Sequence, residues 1–363
     1  MKIVIDLAKI LKILEEHDIE PGDDILEGQD LPDIGEITMK EVVYPITISE
    51  IFGGPDGEGI TDDKGLLFDD PRIREFLSKL EEIINGGTAH LPPSGDDVSG
   101  PPEPNCAWYC PIHFFGHGWG IYIRESCVFN TALKIAKKVR WRSLQLQPGF
   151  RMHQMALQLL RSAFYVFYLH EQFHHKVESL GFRYLVATGV DKYRPYKANV
   201  YRPSFLTIDC LEESLANAES YKRLSENRYK KRHEPEILEG LRKYLRGSFL
   251  KQPPGYAEAD KFFQDTTYRS GLYLLQSQVL DGALLPITPT TDWAISPNVI
   301  TSLMSITDNI YVIVPVGARS IFNPTAIDPY PTVSTSDLTK ALIKHYGYNK
   351  KKGGKGSHIK LTK

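Results

Sequence analysis

The apolar positions of this chain fall mostly at helical spacing. Ile3, Leu7, Ile10, Leu11 and Leu14 mark a helix near the start, and Ile73, Phe76, Leu77, Leu80 and Ile83 mark a second over 71–84, where Pro71 suits a first turn. A basic amphipathic helix is predicted over 128–139, VFNTALKIAKKV. The longest helical stretch is HQMALQLLRSAFYVFYLHEQFHHKVESL, about 153–180, which has no internal glycine or proline. It is apolar on most sides and therefore expected inside a core, with Gly181 as its C-terminal cap. Further helices are expected over 211–231, 236–249 and 256–284. Two short runs, WGIYI (119–123) and NIYVIVPV (309–316), have the composition of strands, the second a buried one. Few strands among dominant helices predict an α+β fold.

Loop chemistry interrupts this pattern at GGPDGEG (53–59) and at GGTAHLPPSGDDVSGPPEPN (86–105). The second stretch reads as a Pro/Gly-rich linker. It separates an acidic N-terminal region, 1–85, from a helical domain over 106–328, and a basic segment, 329–363, follows. Charge divides the same way: residues 1–105 hold 25 Asp/Glu against 8 Lys/Arg, and the remainder holds 20 against 35. The net charge of -2 conceals this asymmetry. The basic part is suited to an acidic partner, either nucleic acid or the chain's own N-terminal region. With 42% hydrophobic and 24% charged residues the chain is not a disordered one, and 4 cysteines in 363 residues exclude a disulfide scaffold. The opening MKIVIDLAKILKILEEHDIE has neither an unbroken apolar run nor a small-residue cleavage site, and no apolar run reaches membrane-spanning length. A cytoplasmic protein with no membrane contact is the expectation.

The chemistry sits inside the long helix, where His170-Glu171-Gln172-Phe173-His174 forms an H-E-x-x-H arrangement. Histidines at i and i+4 share a helical face with Cβ atoms roughly 5–6 Å apart, close enough to share one zinc ion. The adjacent Glu171 then reaches a water on that ion. An otherwise apolar helix disfavours the alternative of two histidines on a polar edge, because burying such groups is costly without a metal or partners. Tetrahedral zinc needs a third protein ligand. Glu178 is one candidate, but a single straight helix rarely folds three ligands around an ion. Glu213, on the helix that carries Glu212-Glu213-Ser214-Leu215-Ala216-Asn217, is favoured over Glu178 and over Glu212. Asn217 lies one turn after Glu213 and is placed to hold a ligand histidine by a hydrogen bond.

This pattern resembles the gluzincin metallopeptidases, in which an H-E-x-x-H helix precedes a helix bearing a Glu ligand and an acidic or amide residue four positions on. His170, Glu171, His174 and Glu213 match; Asn217 stands where Asp is commoner. More narrowly, YLHEQFHHKVE (168–178) and EESLANAES (212–220) are similar to segments of bacterial metallopeptidase-like proteins. The resemblance covers roughly 106–325 and implies a helix-dominated, zincin-like domain, one Zn2+ per chain and a protein or peptide substrate. Glu171 would accept a proton from water and pass it to the leaving amine. Tyr221 and His233 are candidates for the oxyanion donor that such a reaction needs.

Two further constellations complete the reading. Cys106, Cys110, His113 and His117 offer four ligand types for a second metal, but only two residues separate the second cysteine from the first histidine, and buried cysteines beside loop histidines is the favoured reading. Cys127 and Cys210 are expected as core thiols. Near the end, a helix over 336–344 is followed by Gly347-Tyr348 and by Gly356-Ser357-His358. This segment resembles the first part of a HicA-type mRNA interferase domain, a small α/β fold of dsRNA-binding type whose Gly-Ser-His histidine is its presumed catalytic group. The resemblance spans about 28 residues and implies RNA contact through Lys350, Lys351, Lys352, Lys355 and Lys360, with His358 at the RNA site. An RNA-binding or RNA-cleaving, toxin-related protein with a structural zinc is therefore the alternative to a peptidase.

Overall fold

A computed structural model describes residues 7–17, 35–46, 70–87, 106–144, 150–224, 226, 233–284, 309–322, 349–351 and 360–362. The chain divides into two compact units, Met1–Pro324 and Thr325–Lys363. In chain order, the first unit holds α1 (Leu7–Glu16), β1 (Glu41–Ile46), α2 (Pro71–Ile84), β2 (Ala107–Cys110), β3 (Gly120–Arg124) and α3 (Glu125–Ala136). It continues with α4 (Phe150–Thr188), α5 (Leu211–Arg223), α6 (Pro235–Phe249), α7 (Asp265–Asp281) and β4 (Ile310–Pro315). The class is α+β: helices around a small mixed sheet of order β1-β4-β3-β2. β3 runs parallel to β4, and the two outer pairings are antiparallel.

Two expectations change here. Among the described residues of the expected 1–85 region, 41–46 do not stand apart from the helical domain, because β1 pairs along its length with β4, Glu41 opposite Pro315 and Ile46 opposite Ile310. Arg124 at the end of β3 fastens it further, its Nε donating to Glu41 Oε1 at 2.9 Å. The backbone of β4 needs a partner on each side, and the N-terminal segment supplies one of them. Gly181 does not end the long helix either. α4 runs on to Thr188, and a Cβ on Gly181 would stand 2.7 Å from Tyr193 Cβ, so this glycine permits close packing in mid-helix.

α2 is held by charge as well as by its buried Ile73, Phe76, Leu80 and Ile83. Asp70 caps it, accepting from Arg72 N at 2.8 Å. The Arg72 guanidinium then reaches Glu125 at the start of α3, Nη1 to Oε2 at 2.6 Å. Glu125 Oε1 accepts in turn from Ser320 Oγ at 2.9 Å and Ile321 N at 2.8 Å. One buried carboxylate thus joins two helices to the segment after β4.

Cys106 and Cys127 are joined in a disulfide that ties the start of β2 to the first turn of α3. Cys127 is therefore not the free core thiol the spacing suggested; Cys110 and Cys210 are free and buried. Disulfides persist chiefly in oxidising compartments, which does not favour the cytoplasmic expectation. No described helix is long and apolar enough to cross a membrane. In the second unit, β5 (Asn349–Lys351) pairs antiparallel with β6 (Lys360–Thr362). Lys350, Lys351 and Lys360 lie on these strands, whereas Lys352, Lys355, His358 and the helix expected over 336–344 lie outside the described residues.

Replacing Arg72 by Ala strands the Glu125 carboxylate in the core and is expected to cost about 3 kcal/mol in urea unfolding. Adding Glu125→Gln, which removes the charge and keeps an oxygen for Ser320 Oγ and Ile321 N, should recover part of the loss; a double variant no more stable than Arg72→Ala would show the ion pair is not the cause.

Candidate metal centre

The centre forms where α4 crosses α5. α4 buries Phe173, Val177 and Leu180 against Leu211, Leu215 and Ala218 of α5, and this packing turns His170 and His174 toward the carboxylates of α5. His170 Nε2 lies 3.0 Å from Glu213 Oε2 and 3.2 Å from His174 Nε2, and His174 Nε2 lies 3.6 Å from Glu213 Oε1. Ligand atoms about 2.0–2.1 Å from a tetrahedral zinc stand about 3.3 Å from one another. The two separations from His170 Nε2 lie close to that value, the 3.6 Å contact of His174 is to the other oxygen of Glu213, and one ligand atom from each residue lies within 4.8 Å of the others. His170, His174 and Glu213 are the one group able to hold a metal ion among the described residues.

Convergence needs both imidazoles to turn the same nitrogen inward. His170 Nδ1 lies 2.9 Å from Asn217 Oδ1, and His174 Nδ1 lies 2.6 Å from Glu212 Oε1. Each Nδ1–H donates outward, so it is the Nε2 of each ring that faces inward and would give its lone pair to an ion once any proton there has left. The Asn217 side chain has one sensible orientation, since its Nδ2 donates to Gln252 Oε1 at 2.8 Å and to the backbone carbonyl of Tyr256 at 3.1 Å. An aspartate here would face two acceptors with an acceptor, a physical reason for amide rather than acid at this position. The loop carrying Tyr256 is set by Gly255, at φ 92°, whose carbonyl accepts from Ser214 Oγ of α5 at 2.6 Å.

The short helical turns between α4 and α5 hold the carboxylates. Tyr193–Tyr196 leads into a π turn, Lys197–Tyr201, a widened geometry that recurs at functional sites. Tyr201 Oη donates to Glu213 Oε1 at 2.5 Å and Tyr196 Oη to Glu212 Oε2 at 2.6 Å. Lys197, itself buried, brings Nζ to 3.5 Å from Glu212 Oε1. Burial works against ionisation of Glu213, yet the positive charge of His174 and hydrogen bonds from His170 and Tyr201 outweigh it and hold Glu213 down at about 2. Burial likewise opposes charge on His174, but Glu213 and Glu212 overcome it and raise His174 to about 10. Lys197 is the chief influence lowering Glu212 against its burial. Without a metal, a proton on His174 balances the carboxylates, and an ion entering the site displaces that proton.

Sequence reasoning brought His170, His174, Glu213 and Asn217 to this place, and the chain does assemble them. Glu171 lines a cavity of ≈ 240 Å³ beside the triad, together with His170, His174 and Asn217. Glu212, passed over as a ligand in favour of Glu213, is buried and bonded to His174. Tyr196, Lys197 and Tyr201 were not anticipated, since aromatic and basic residues in a short connection carry no spacing signal.

Other candidates lie elsewhere. Glu178 is eight residues beyond His170, about 12 Å along the helix, too far to share an ion with it. It accepts instead from His113, backbone N at 2.9 Å and Nδ1 at 2.6 Å, and from Tyr109 Oη. The second metal set does not assemble: Cys106 is spent in the disulfide, His113 is taken by Glu178, and His117 is exposed. Tyr221 stacks on Phe263 at 4.1 Å and His233 packs near Tyr165 at 6.2 Å, and neither lines the cavity. Tyr244, Gln252 and Tyr256 line it, with Tyr256 stacked on the His170 ring at 5.8 Å.

No protein-family model matches the chain, and neither the curated proteins nor the solved structures yield a match.

Asn217→Asp keeps the shape but sets a carboxylate oxygen against the fixed Tyr256 carbonyl. It is expected to lower the unfolding free energy by about 2 kcal/mol in urea titration. An unchanged value would mean that the amide points the other way.

Proposed function

We propose that this chain is a zinc-dependent hydrolase of peptide bonds in which Glu171 is the general base. The observation that carries the reading is the convergence of His170 Nε2, His174 Nε2 and Glu213 at 3.0–3.6 Å, beside a cavity that Glu171 lines. Two imidazoles and one carboxylate are a donor set suited to zinc, whereas calcium and magnesium take oxygen ligands. When bound, zinc supplies Lewis-acid polarisation of a carbonyl and lowers the pKa of water to about 7.

The chain's own residues do the rest. Glu171 accepts the proton of the attacking water and delivers it to the leaving amine nitrogen. Asn217 and Glu212 fix the two rings so that no reorientation is needed during turnover. Tyr201 and Tyr196 keep the α5 carboxylates ionised and in place. Peptide bonds, rather than other acyl groups, are favoured by the likeness of His170, Glu171, His174 and Glu213 to the gluzincin arrangement.

Glu171→Gln is expected to retain the metal, since Glu171 is not among the three ligands, while lowering kcat for peptide cleavage at least about 100-fold. Metal content and turnover measured on the same preparation test this. Wild-type turnover in the variant would remove Glu171 from the mechanism.

A further inference from the structure

The Cys106–Cys127 disulfide lies in the wall of the cavity beside the triad. Cys106, at the entry to β2, lines that cavity together with His170, Glu171 and His174 and is half-buried. Its partner Cys127 sits in the first turn of α3 and is only 8% exposed. The two sulfurs therefore differ in what can reach them. The proposed hydrolysis uses neither.

Thiol–disulfide exchange depends on access to the sulfur attacked and on how readily the other sulfur leaves. Access favours attack at Cys106, because its cavity of ≈ 240 Å³ is larger than the roughly 150 Å³ that already admits benzene. The leaving sulfur is then that of Cys127, the third residue of α3, where the partial positive charge of a helix N-terminus stabilises a departing thiolate. Glu125, the acidic residue of the same turn, has its charge answered by Arg72 at 2.6 Å. β2 does not need the bridge to stay in place. The carbonyl of Cys106 accepts from Arg124 N at 2.8 Å, and Ala107 to Cys110 pair with β3. Opening the bridge thus frees a sulfur in the cavity wall without freeing the strand.

We infer that Cys106–Cys127 is a thiol-responsive bridge whose opening makes Cys106 a modification site inside the cavity. A thiolate of a small dithiol attacks Cys106 Sγ. The S–S bond breaks, its electron pair leaves with Cys127, and Cys127 takes up a proton. The second thiol of the reagent then displaces Cys106, which takes up the other proton. The dithiol ends as a cyclic disulfide, oxidised by two electrons, and the chain gains two thiols. A group that next attaches to Cys106 enters the cavity that Glu171 lines and occupies space a substrate needs. The bridged chain keeps that space open.

The folded full chain is treated with dithiothreitol, then with iodoacetamide, and mapped by mass spectrometry. Cys106 should be alkylated at least about tenfold faster than Cys127 and than the buried free thiols Cys110 and Cys210. In NMR the alkylated chain should show shifted ring signals of His170 and His174. His153, about 25 Å back along α4, should stay unmoved. Cys106→Ala carried through the same steps should show no shift. These readouts need neither zinc nor turnover, so they stand apart from the hydrolase reading. A bridge that opens only in urea, or equal labelling of Cys106 and Cys127, overturns the inference. Labelling of Cys106 that leaves His170 and His174 unmoved overturns it too, since the adduct then lies outside the cavity. Peptide cleavage by the bridged chain should be lost on labelling, and cleavage at an unchanged rate contradicts the role given to the adduct. Selective labelling with the shifts, in a chain that cleaves no peptide in either state, upholds the modification site and removes the hydrolase reading.

Discussion

Two hydrogen bonds on the far side of the imidazoles decide what this site can be. Asn217 takes the Nδ1–H of His170 and Glu212 takes that of His174, so both Nε2 atoms face Glu213. Had either ring been turned over, the helix spacing would still be right and the donors would no longer converge. Both bonds come from α5, the same helix that delivers Glu213. The packing of α4 on α5 therefore sets all three candidate ligands and their orientation together. The Asn217 amide is itself locked through Tyr256 and Gln252, so the loop that follows α6 is bound into the same arrangement.

That arrangement sits in the core and must be electrically tolerable there. Glu212 and Glu213 are both fully buried, adjacent in sequence and of the same charge. Lys197 answers Glu212, and the imidazoles answer Glu213. The π turn that carries Lys197 and Tyr201 gives the connection between α4 and α5 a purpose beyond reversing the chain. A metal ion entering such a site adds positive charge where the surrounding carboxylates already favour it. The second buried polar group, Glu178 with His113 and Tyr109, is a separate solution on the same helix, one that ties α4 to the sheet edge through β2 and the short helix after it.

Much of this was legible in the residue pattern. H-E-x-x-H spacing follows from helix geometry alone, and Asn217 one turn after Glu213 follows from the same periodicity. The helix over 71–84 and the strand over 310–315 were marked by their own apolar positions. What failed to show had a physical cause each time. β1 is a short EVVYPI segment interrupted by proline, and it becomes a strand because β4 offers it a ladder. Gly181 looked like a helix end because its close contact with Tyr193 is a tertiary fact. The Cys106–Cys127 pairing spans 21 residues and depends on β2 and α3 lying side by side. Glu212 looked redundant next to Glu213 until the His174 ring was placed between them.

The central claim is that His170, His174 and Glu213 hold one zinc ion. The most direct measurement is the zinc content of the purified full chain by mass spectrometry, beside His170→Ala and Glu213→Ala. The account predicts about one zinc per chain in the wild type, lost in both variants. A chain without zinc, or zinc that survives either substitution, would contradict it.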